Sequence, residues 1–173
     1  MPGAPFIYYG DEIGMRYVEG LKSVEGGYNR TGSRSPMQWD DSTNAGFSSA
    51  PASDLYIAMD PDKDRPTAKK EMAAPDSLYH EVKKLIRIRQ SHKALQSRGK
   101  ITFVYAEKNA YPLAYIREAD DEKILVIINA AAEAKTFACD AEPKEAIYNF
   151  GAAAEAKNGK ITVPAQSAGF YRI

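Results

Sequence analysis

The sequence predicts a mainly β chain whose C-terminal part, residues 99–173, is an antiparallel β-sandwich of Greek-key-like topology. Three observations support this fold class: short apolar runs, turn residues between them, and one run that is apolar on both faces. Short strands separated by turns are typical of small sandwiches. The predicted strands are Ile101–Ala106, Leu113–Arg117, Lys123–Asn129, Lys135–Ala138, Glu145–Tyr148, Lys160–Val163 and Gly169–Ile173.

Two sequence features locate particular strands within this sandwich. Asn158-Gly159 stands between two short runs and predicts a tight hairpin, because these residue types accept positive φ angles. Residues 124–128 read Ile-Leu-Val-Ile-Ile, so both faces of that strand are apolar. We therefore expect it to lie in the middle of a sheet that is covered on both sides.

A helix is predicted over residues 76–92. Asp76 and Ser77 are candidate N-caps, since short polar side chains accept hydrogen bonds from the first helical N–H groups. The residues that recur at helical spacing are Leu78, Val82, Leu85, Ile86 and Arg89. The pattern predicts a helix that packs through one face.

Residues 1–75 are predicted to contain one strand, residues 6–9, followed by loops that glycine and proline interrupt. Loops of this length are usually functional, disordered or separated from the scaffold on which they pack. A buried-type strand directly after Met1 is unusual, and we expect the chain to be a fragment. An unpaired strand at 6–9 exposes its edges, which makes self-association an expected property.

Composition restricts the class of protein. The 23 basic and 23 acidic residues cancel, so no electrostatic footprint for nucleic acid is expected. One cysteine, Cys139, excludes an internal disulfide, and with two histidines it argues against a zinc site. No run approaches the roughly 20 apolar residues of a membrane helix. We expect a soluble, cytoplasmic protein without a metal or a cofactor.

The carboxylates do not by themselves form a catalytic pair. Retaining glycoside hydrolysis needs two carboxyl groups about 5–5.5 Å apart on either side of one bond. The adjacent pairs are Asp11-Glu12, Asp40-Asp41 and Asp120-Asp121, and neighbours on a strand point to opposite faces. Asp40-Asp41 and Asp120-Asp121 are expected to be turns or caps. We therefore expect no catalytic residue in this chain.

Four segments resemble, in order, the C-terminal part of the α-amylase family of glycoside hydrolases. Residues 2–15, PGAPFIYYGDEIGM, are similar to the family's last barrel strand. Residues 34–40, RSPMQWD, with 44–48, NAGFS, resemble the following loop of α-glucosidases and oligo-1,6-glucosidases. The final barrel helix corresponds to residues 77–79 and 85–89, and two strands of the C-terminal β-domain correspond to 114–117 and 125–129.

The resemblance implies an organisation and an activity. Residues 1–95 would be the remnant of a truncated (β/α)8 barrel, with its last strand, a long substrate loop and its last helix, and residues 99–173 the C-terminal domain. The parent enzyme would hydrolyse α-glucosidic bonds of α-glucans or oligosaccharides with retention. The family's Gly-Phe-Arg-x-Asp and Asn-His-Asp patterns do not occur here. The nucleophile and acid would lie upstream, and the chain alone is expected to be inactive.

The resemblance also names candidate substrate-binding residues. Arg34 would hydrogen-bond the outer hydroxyls of the sugar at the cleavage site, with a loop-fixing ion pair as the alternative. Glu12 would contact the sugar or hold the loop. Asp11 and Trp39 are secondary candidates, and for Trp39 the favoured alternative is a buried anchor for the loop. Tyr8 and Tyr9 are expected to pack in the barrel.

Two other functions stay open. The chain could be a non-catalytic structural or carbohydrate-binding β-domain, or part of a transferase or isomerase of the trehalose-forming type. A binding module needs a flat, exposed row of aromatic side chains. Alternation assigns most aromatics of the β-domain to its core: Phe103, Tyr105, Tyr115, Phe137, Phe170 and Tyr171.

Overall fold

The computed structural model describes residues 3–22 and 30–173. Residues 1, 2 and 23–29, which belong to the predicted barrel remnant, lie outside the described residues. The chain divides into two compact units: residues 5–85, and residues 86–173 with residues 3 and 4. The division falls between Leu85 and Ile86, whereas the sequence prediction ended the first domain at residue 95. No helix in the described ranges is long and apolar enough to span a bilayer.

The unit of residues 5–85 consists of loops and short helices. Its 3-10 helices are Asp11–Ile13, Thr31–Arg34, Thr43–Gly46 and Ala52–Asp54. The predicted strand at 6–9 is wrong, because no strand is assigned in the described part of this unit. A strand exists only where a neighbour completes its hydrogen-bond ladder, and the described residues of this unit provide none. Phe6 is consequently 96% exposed.

Two α-helices follow these loops: α1, Ala68–Ala73, and α2, Leu78–Ser91. The prediction missed α1, whose cap is Thr67: its side chain accepts a 3.2 Å hydrogen bond from the Lys70 N–H. The predicted helix at 76–92 is confirmed as α2. The Ser77 hydroxyl accepts from the His80 N–H at 3.4 Å, the bond expected of an N-cap.

The unit of residues 86–173 contains the predicted sandwich of residues 99–173 together with the last residues of α2. Its strands are β1 (Lys100–Tyr105), β2 (Leu113–Ala119), β3 (Glu122–Asn129), β4 (Lys135–Ala138), β5 (Glu145–Phe150), β6 (Glu155–Lys157), β7 (Lys160–Val163) and β8 (Ser167–Arg172). One sheet has the order β1-β2-β3-β8-β5 and the other β4-β7-β6. All described pairings are antiparallel.

The central apolar strand and the tight hairpin that the sequence predicts are both confirmed. β3 is the central strand of the five-stranded sheet, and Ile124, Leu125, Val126 and Ile127 are fully buried. Asn158 and Gly159 connect β6 to β7 with φ angles of 51° and 70°, and Lys157 pairs with Lys160. These angles are those of the tight turn that the residue pair predicts.

Each face of the central sheet has its own apolar cluster. The cluster between the two sheets contains Ala114, Leu125, Ile127, Phe137, Cys139, Ile161, Val163 and Tyr171. The cluster on the opposite face contains Ala94, Leu95, Tyr115, Ile124 and Val126. Ala94 and Leu95 belong to a 3-10 helix, Lys93–Leu95, which therefore covers this second face.

Arg117 fixes the segment that leads into β1. Its guanidinium is buried and donates to the carbonyls of Gln96 at 2.7 Å, Gly99 at 3.0 Å and Lys100 at 3.3 Å. A Cβ atom at Gly99 would lie 2.2 Å from the Ala94 carbonyl oxygen, so only glycine fits there. Burial lowers the pKa of Arg117. The charge is retained inside the fold because backbone carbonyls solvate it.

One expectation for the aromatic side chains is wrong. Phe103 on β1 is 52% exposed, although alternation assigned it to the core. β1 is an edge strand, and its residues that pack against the two apolar clusters are Ile101, Val104 and Tyr105. Phe150 is also exposed but lies on β5, at the other edge of the same sheet. These two rings are on opposite edges and do not form the contiguous row that a binding module needs.

Candidate functional site

The first candidate residues lie in a tight turn after Tyr9. Gly10 has a φ of 89°, and a Cβ there would lie 2.5 Å from the sulfur of Met15, so the turn requires glycine. The Asp11 carboxylate accepts from the Tyr8 N–H and the Glu12 carboxylate from the Gly10 N–H, each at 2.9 Å. The two carboxylates therefore accept hydrogen bonds from backbone N–H groups that have no neighbouring strand to pair with.

The segment around Trp39 is held by backbone pairing on both sides. The Trp39 N–H donates to Ala45 at 2.8 Å, and the Trp39 carbonyl accepts from Lys69 at 2.9 Å. Its neighbour Gln38 is fully buried and donates from Nε2 to the Pro66 carbonyl at 2.6 Å. Gln38, and not Trp39, is therefore the buried anchor of this loop.

The Trp39 side chain itself is 51% exposed, so the buried-anchor interpretation of this residue is wrong. Alternation along an extended segment puts successive side chains on opposite sides, and here the anchor is one residue earlier. The indole is left on the open side of the loop. The backbone of Trp39 is held in place by hydrogen bonds at both its N–H and its carbonyl.

These side chains surround a cavity of about 530 Å³. Three of the four residues that the sequence suggested, Arg34, Glu12 and Trp39, line it, and Asp11 is not among its lining residues. The full lining is Tyr9, Glu12, Arg34, Pro36, Met37, Trp39, Phe47, Tyr56 and Ile57. The structure thus brings together residues from positions 9 to 57.

The sequence did not identify the other aromatic residues of the cavity. Tyr9 was expected to pack in the barrel, but its hydroxyl donates to the Ser35 carbonyl at 3.0 Å and its ring lines the cavity. Burial raises the pKa of Tyr9, Tyr8 adds to the effect, and the positive charge of Arg34 opposes it. Phe47 and Tyr56 gave no periodic signal, and only loop pairing brings them to the same cavity.

The charged side chains of this cavity are one acid and one base. Glu12 is the one carboxylate among its described lining residues, and Arg34 is the one cation. Asp40, the nearest acidic residue in sequence to Trp39, accepts from the N–H and hydroxyl of Ser42, which lower its pKa. That confirms the turn predicted at Asp40. Within residues 3–22 and 30–173, no three His, Cys, Asp or Glu side chains could jointly hold a metal ion.

Known proteins match the chain over nearly its whole length. A family model described as the alpha amylase catalytic domain matches residues 1–98. Glucan 1,6-alpha-glucosidase of Streptococcus pneumoniae is 28% identical over 95% of this chain and 35% of its own length. Alpha-amylase 3 of Dictyoglomus thermophilum is 34% identical over 100% of this chain and 32% of its own length.

The fold agrees with a solved structure as well. Trehalulose synthase MutB of Pseudomonas mesoacidophila superposes with a TM-score of 0.79 at 28% identity, over 99% of this chain and 36% of that chain. The chain therefore spans about a third of the length of the relatives described above. With more than half of its residues matched by the family model, it belongs to the alpha-amylase family of glycoside hydrolases.

Proposed function

We propose that this chain forms one wall of the substrate pocket of an enzyme that hydrolyses α-glucosidic bonds of glucans or oligosaccharides with retention of configuration. The observation that carries the proposal is the cavity that Arg34, Glu12 and Trp39 line together. A donor and an acceptor that line one cavity with an aromatic ring suit a sugar, whose edge carries hydroxyls and whose faces carry C–H groups.

Each of the three residues has a proposed role. The Arg34 guanidinium donates to the outer hydroxyls of a terminal glucose through the planar fork of its N–H groups. The Glu12 carboxylate accepts one bond from Gly10, and an ionised carboxylate has about four acceptor positions, so it can also accept from a hydroxyl. The Trp39 ring packs against a sugar face.

The chain alone is proposed to be inactive. Retention needs two carboxyl groups about 5–5.5 Å apart, and the described cavity has Glu12 alone. Asp11 accepts a bond from Tyr8 and does not line the cavity. The proposal assigns the nucleophile and the acid to barrel residues that this sequence does not contain. The isolated chain should release no nitrophenol from a nitrophenyl α-glucoside above the buffer rate.

The decisive test replaces Arg34 in a version of the enzyme that includes the rest of the barrel. Arg34→Ala should lower kcat/KM on an α-glucoside at least about tenfold, because a bond from a charged donor contributes about 1.5–3 kcal/mol. Arg34→Lys should recover only part, since an ammonium lacks the planar fork. Unchanged kinetics together with a lower Tm would assign Arg34 a structural role and contradict the proposal.

A second candidate is a transferase or isomerase that moves glucose to another hydroxyl instead of to water. Its support is the match to trehalulose synthase along nearly the whole chain. Product analysis separates the two: a hydrolase releases free glucose from a disaccharide, whereas an isomerase returns a disaccharide of altered linkage. The substrate in either case is an α-linked sugar.

Self-association of the chain is also proposed. Phe6, Ile7 and Tyr8 are between 50% and 96% exposed in the segment that the sequence predicted as a strand. Such a segment is suited to pairing with a second copy. Light scattering should show a mass above that of one chain, and a Phe6→Lys variant should reduce it.

A further inference from the structure

Asn158 and Gly159 form the exposed tip of the hairpin between β6 and β7. Their φ angles are 51° and 70°. A Cβ atom added at Gly159 would have nothing within 4 Å, so open space surrounds this position. Asn158 is also the one asparagine of the sequence that is followed by glycine. The tip therefore places a carboxamide beside a peptide nitrogen that no side chain shields.

The two amide groups of this tip are free to react with each other. In the described part of the chain, neither the Asn158 carboxamide nor the Gly159 N–H makes a hydrogen bond. The Gly159 nitrogen, after it loses its proton to hydroxide, can attack the carboxamide carbon of Asn158. The new N–C bond closes a cyclic imide, and ammonia leaves. The peptide unit between the residues must rotate for this attack, which a residue without Cβ permits.

Water then opens the imide at one of its two carbonyl carbons. Cleavage of the bond to the former side-chain carbon gives aspartate, whereas cleavage of the bond to the main-chain carbon gives isoaspartate. The net reaction consumes water, releases ammonia and changes no oxidation state. In isoaspartate the main chain runs through the side-chain methylene, so the backbone at residue 158 becomes longer by one carbon.

The structure makes other asparagines less reactive than Asn158. Asn129 donates to three backbone carbonyls and Asn44 to two, so both carboxamides are held in place. Asn109 is the nearest match, because it is exposed and has a φ of 58°. It is followed by Ala110, which carries a Cβ and donates its N–H to a carbonyl of the same loop at 3.4 Å. Selective reaction at Asn158 is therefore expected.

The same hairpin tip covers the single cysteine of the chain. The Gly159 carbonyl accepts from the Cys139 N–H at 3.0 Å, and Cys139, Asn158 and Gly159 line one cavity of about 260 Å³. Cys139 is 7% exposed, and burial raises the pKa of its thiol. Buried thiols of this kind are unreactive, because the thiolate is the nucleophile. A displaced tip would uncover the sulfur.

We propose that Asn158-Gly159 is a site of spontaneous modification, at which isoaspartate formation opens the β6–β7 turn and exposes the Cys139 thiol. The two-residue loop that joins Lys157 to Lys160 has no room for an additional main-chain carbon. β6 is a three-residue edge strand paired with β7, so its own contacts hold it weakly. The Gly159 carbonyl moves with the loop and releases the Cys139 N–H.

Ageing of the full chain in mildly alkaline buffer tests the first step. Peptide mapping by mass spectrometry locates the converted asparagines, and each conversion lowers the formal net charge of 0 by one. We expect Asn158 to convert about tenfold or more faster than Asn109, because Ala110 has a Cβ and a bonded N–H. Equal rates at the two asparagines would overturn the proposal.

The reactivity of Cys139 tests the second step. Ion exchange separates the acidic fraction of the aged chain, and isoaspartate in it is measured with a protein isoaspartate methyltransferase. An aromatic disulfide reagent then reports the thiol, and the signal comes from Cys139 alone. The isoaspartate fraction should react about tenfold or more faster than the fresh chain, because exposure restores both access and thiolate formation. An unchanged rate would overturn the proposal.

Two variants keep residue pairs suited to this turn and separate the causes. Asn158→Gly has no carboxamide at this position, so ageing should leave its Cys139 reactivity unchanged. Freshly prepared Asn158→Asp carries the new charge on a main chain of normal length, and its thiol should react as slowly as that of the fresh chain. A fast thiol in either variant would overturn the proposal, because exposure of Cys139 would then not require isoaspartate.

Discussion

The two units of the chain bury opposite kinds of side chain. In residues 86–173 the buried set is dominated by large apolar side chains from both sheets, such as Leu125, Phe137 and Ile161. Among the described residues of the range 5–85, the buried hydrophobic residues are Ile13 and Ala45, whereas Ser35, Gln38 and Thr67 are buried polar residues. Large apolar side chains of this unit, including Phe6, Trp39 and Phe47, are exposed.

This difference shows how each unit obtains its stability. The sandwich removes apolar surface from water at about 25 cal/mol per Å² and can fold on that basis. The unit of residues 5–85 depends on hydrogen bonds, which contribute only about 1 kcal/mol net each. Its exposed apolar side chains are available for contacts outside this unit: the proposed function assigns Trp39 to a sugar face and Phe6 to a second copy of the chain. Four substitutions can break or sharpen this comparison.

The largest expected effect is in the sandwich core. Phe137→Ala should lower the free energy of unfolding by about 3–5 kcal/mol, because the ring is 4% exposed and its removal leaves a cavity. Phe47→Ala, in the other unit, should change it by no more than about 0.5 kcal/mol. Urea unfolding measures both. Similar losses would mean that residues 5–85 contain an apolar core after all.

Arg117→Ala should cost the sandwich about 2–4 kcal/mol, because three backbone carbonyls lose a charged donor. Arg172→Ala is the matched control on the same sheet: its side chain is 48% exposed and forms ion pairs with Glu145 at 3.1 Å and Glu122 at 3.8 Å, so the loss should be about 1 kcal/mol or less. Thermal unfolding compares the two variants. Equal losses would show that the buried Arg117 guanidinium stabilises the sandwich no more than an exposed ion pair does.

Acid should destabilise the sandwich partly through Glu122. Burial opposes ionisation of this carboxyl, but the His92 ring at 2.6 Å and the Ala94 N–H at 2.9 Å outweigh it and lower its pKa below 4.5. A carboxyl group whose pKa is lower in the folded state than in the unfolded state stabilises the fold at pH values above its unfolded pKa. This stabilisation is lost as the pH falls below 4.5 and through the folded pKa.

The contribution of Glu122 should be on the order of 1 kcal/mol. Glu122→Gln should therefore be less stable than the unmodified chain at pH 7, and the difference in free energy of unfolding should shrink as the pH falls below 4.5. Urea unfolding at pH 7, 5 and 3 measures it. Exposed carboxylates such as Asp120 contribute equally to the pH dependence of both proteins. Only the difference between their free energies of unfolding therefore reports on Glu122. A difference that is constant with pH would refute the role of ionised Glu122.

The smallest expected effect concerns α1. Thr67→Ala removes the cap that accepts from Lys70 and should cost about 1 kcal/mol in residues 5–85 alone. Hydrogen exchange should accelerate in α1 and stay constant in β3. Thr43→Ala, at an exposed position of the same unit, serves as the control and should leave both rates unchanged. Faster exchange in β3 would mean that the two units unfold together.

The sandwich was predictable because its signals are local. Alternating apolar residues and turn pairs gave seven strands within one to two residues of their observed ends at most positions. β6 was missed because Glu155–Lys157 has no apolar alternation and is held only by its pairing with β7. α1 was missed for a related reason: Ala68–Ala73 has a good cap but no apolar stripe.

The candidate site was predictable only in part. Resemblance suggested Arg34, Glu12 and Trp39, whereas Phe47 and Tyr56 reach the cavity through loops of irregular backbone. Such loops are fixed by hydrogen bonds between residues distant in sequence, for example from the Ala68 N–H to the Gln38 carbonyl. A periodic pattern of apolar residues does not predict these bonds. The prediction of a strand at 6–9 was wrong. Its residue types indicate that the segment favours an extended conformation, but they do not indicate whether a neighbouring strand is present to pair with it.

The position of β8 has a consequence for the order in which the sheet is assembled. β8 lies between β3 and β5, and it is the strand through which β5 joins the sheet. During synthesis β5 emerges before β8, so until β8 follows, β5 and one edge of β3 have no partner in this sheet. The pairing of Leu125 with Tyr171 spans most of the sandwich sequence and closes late. A ribosome must therefore complete β8 before the five-stranded sheet can close.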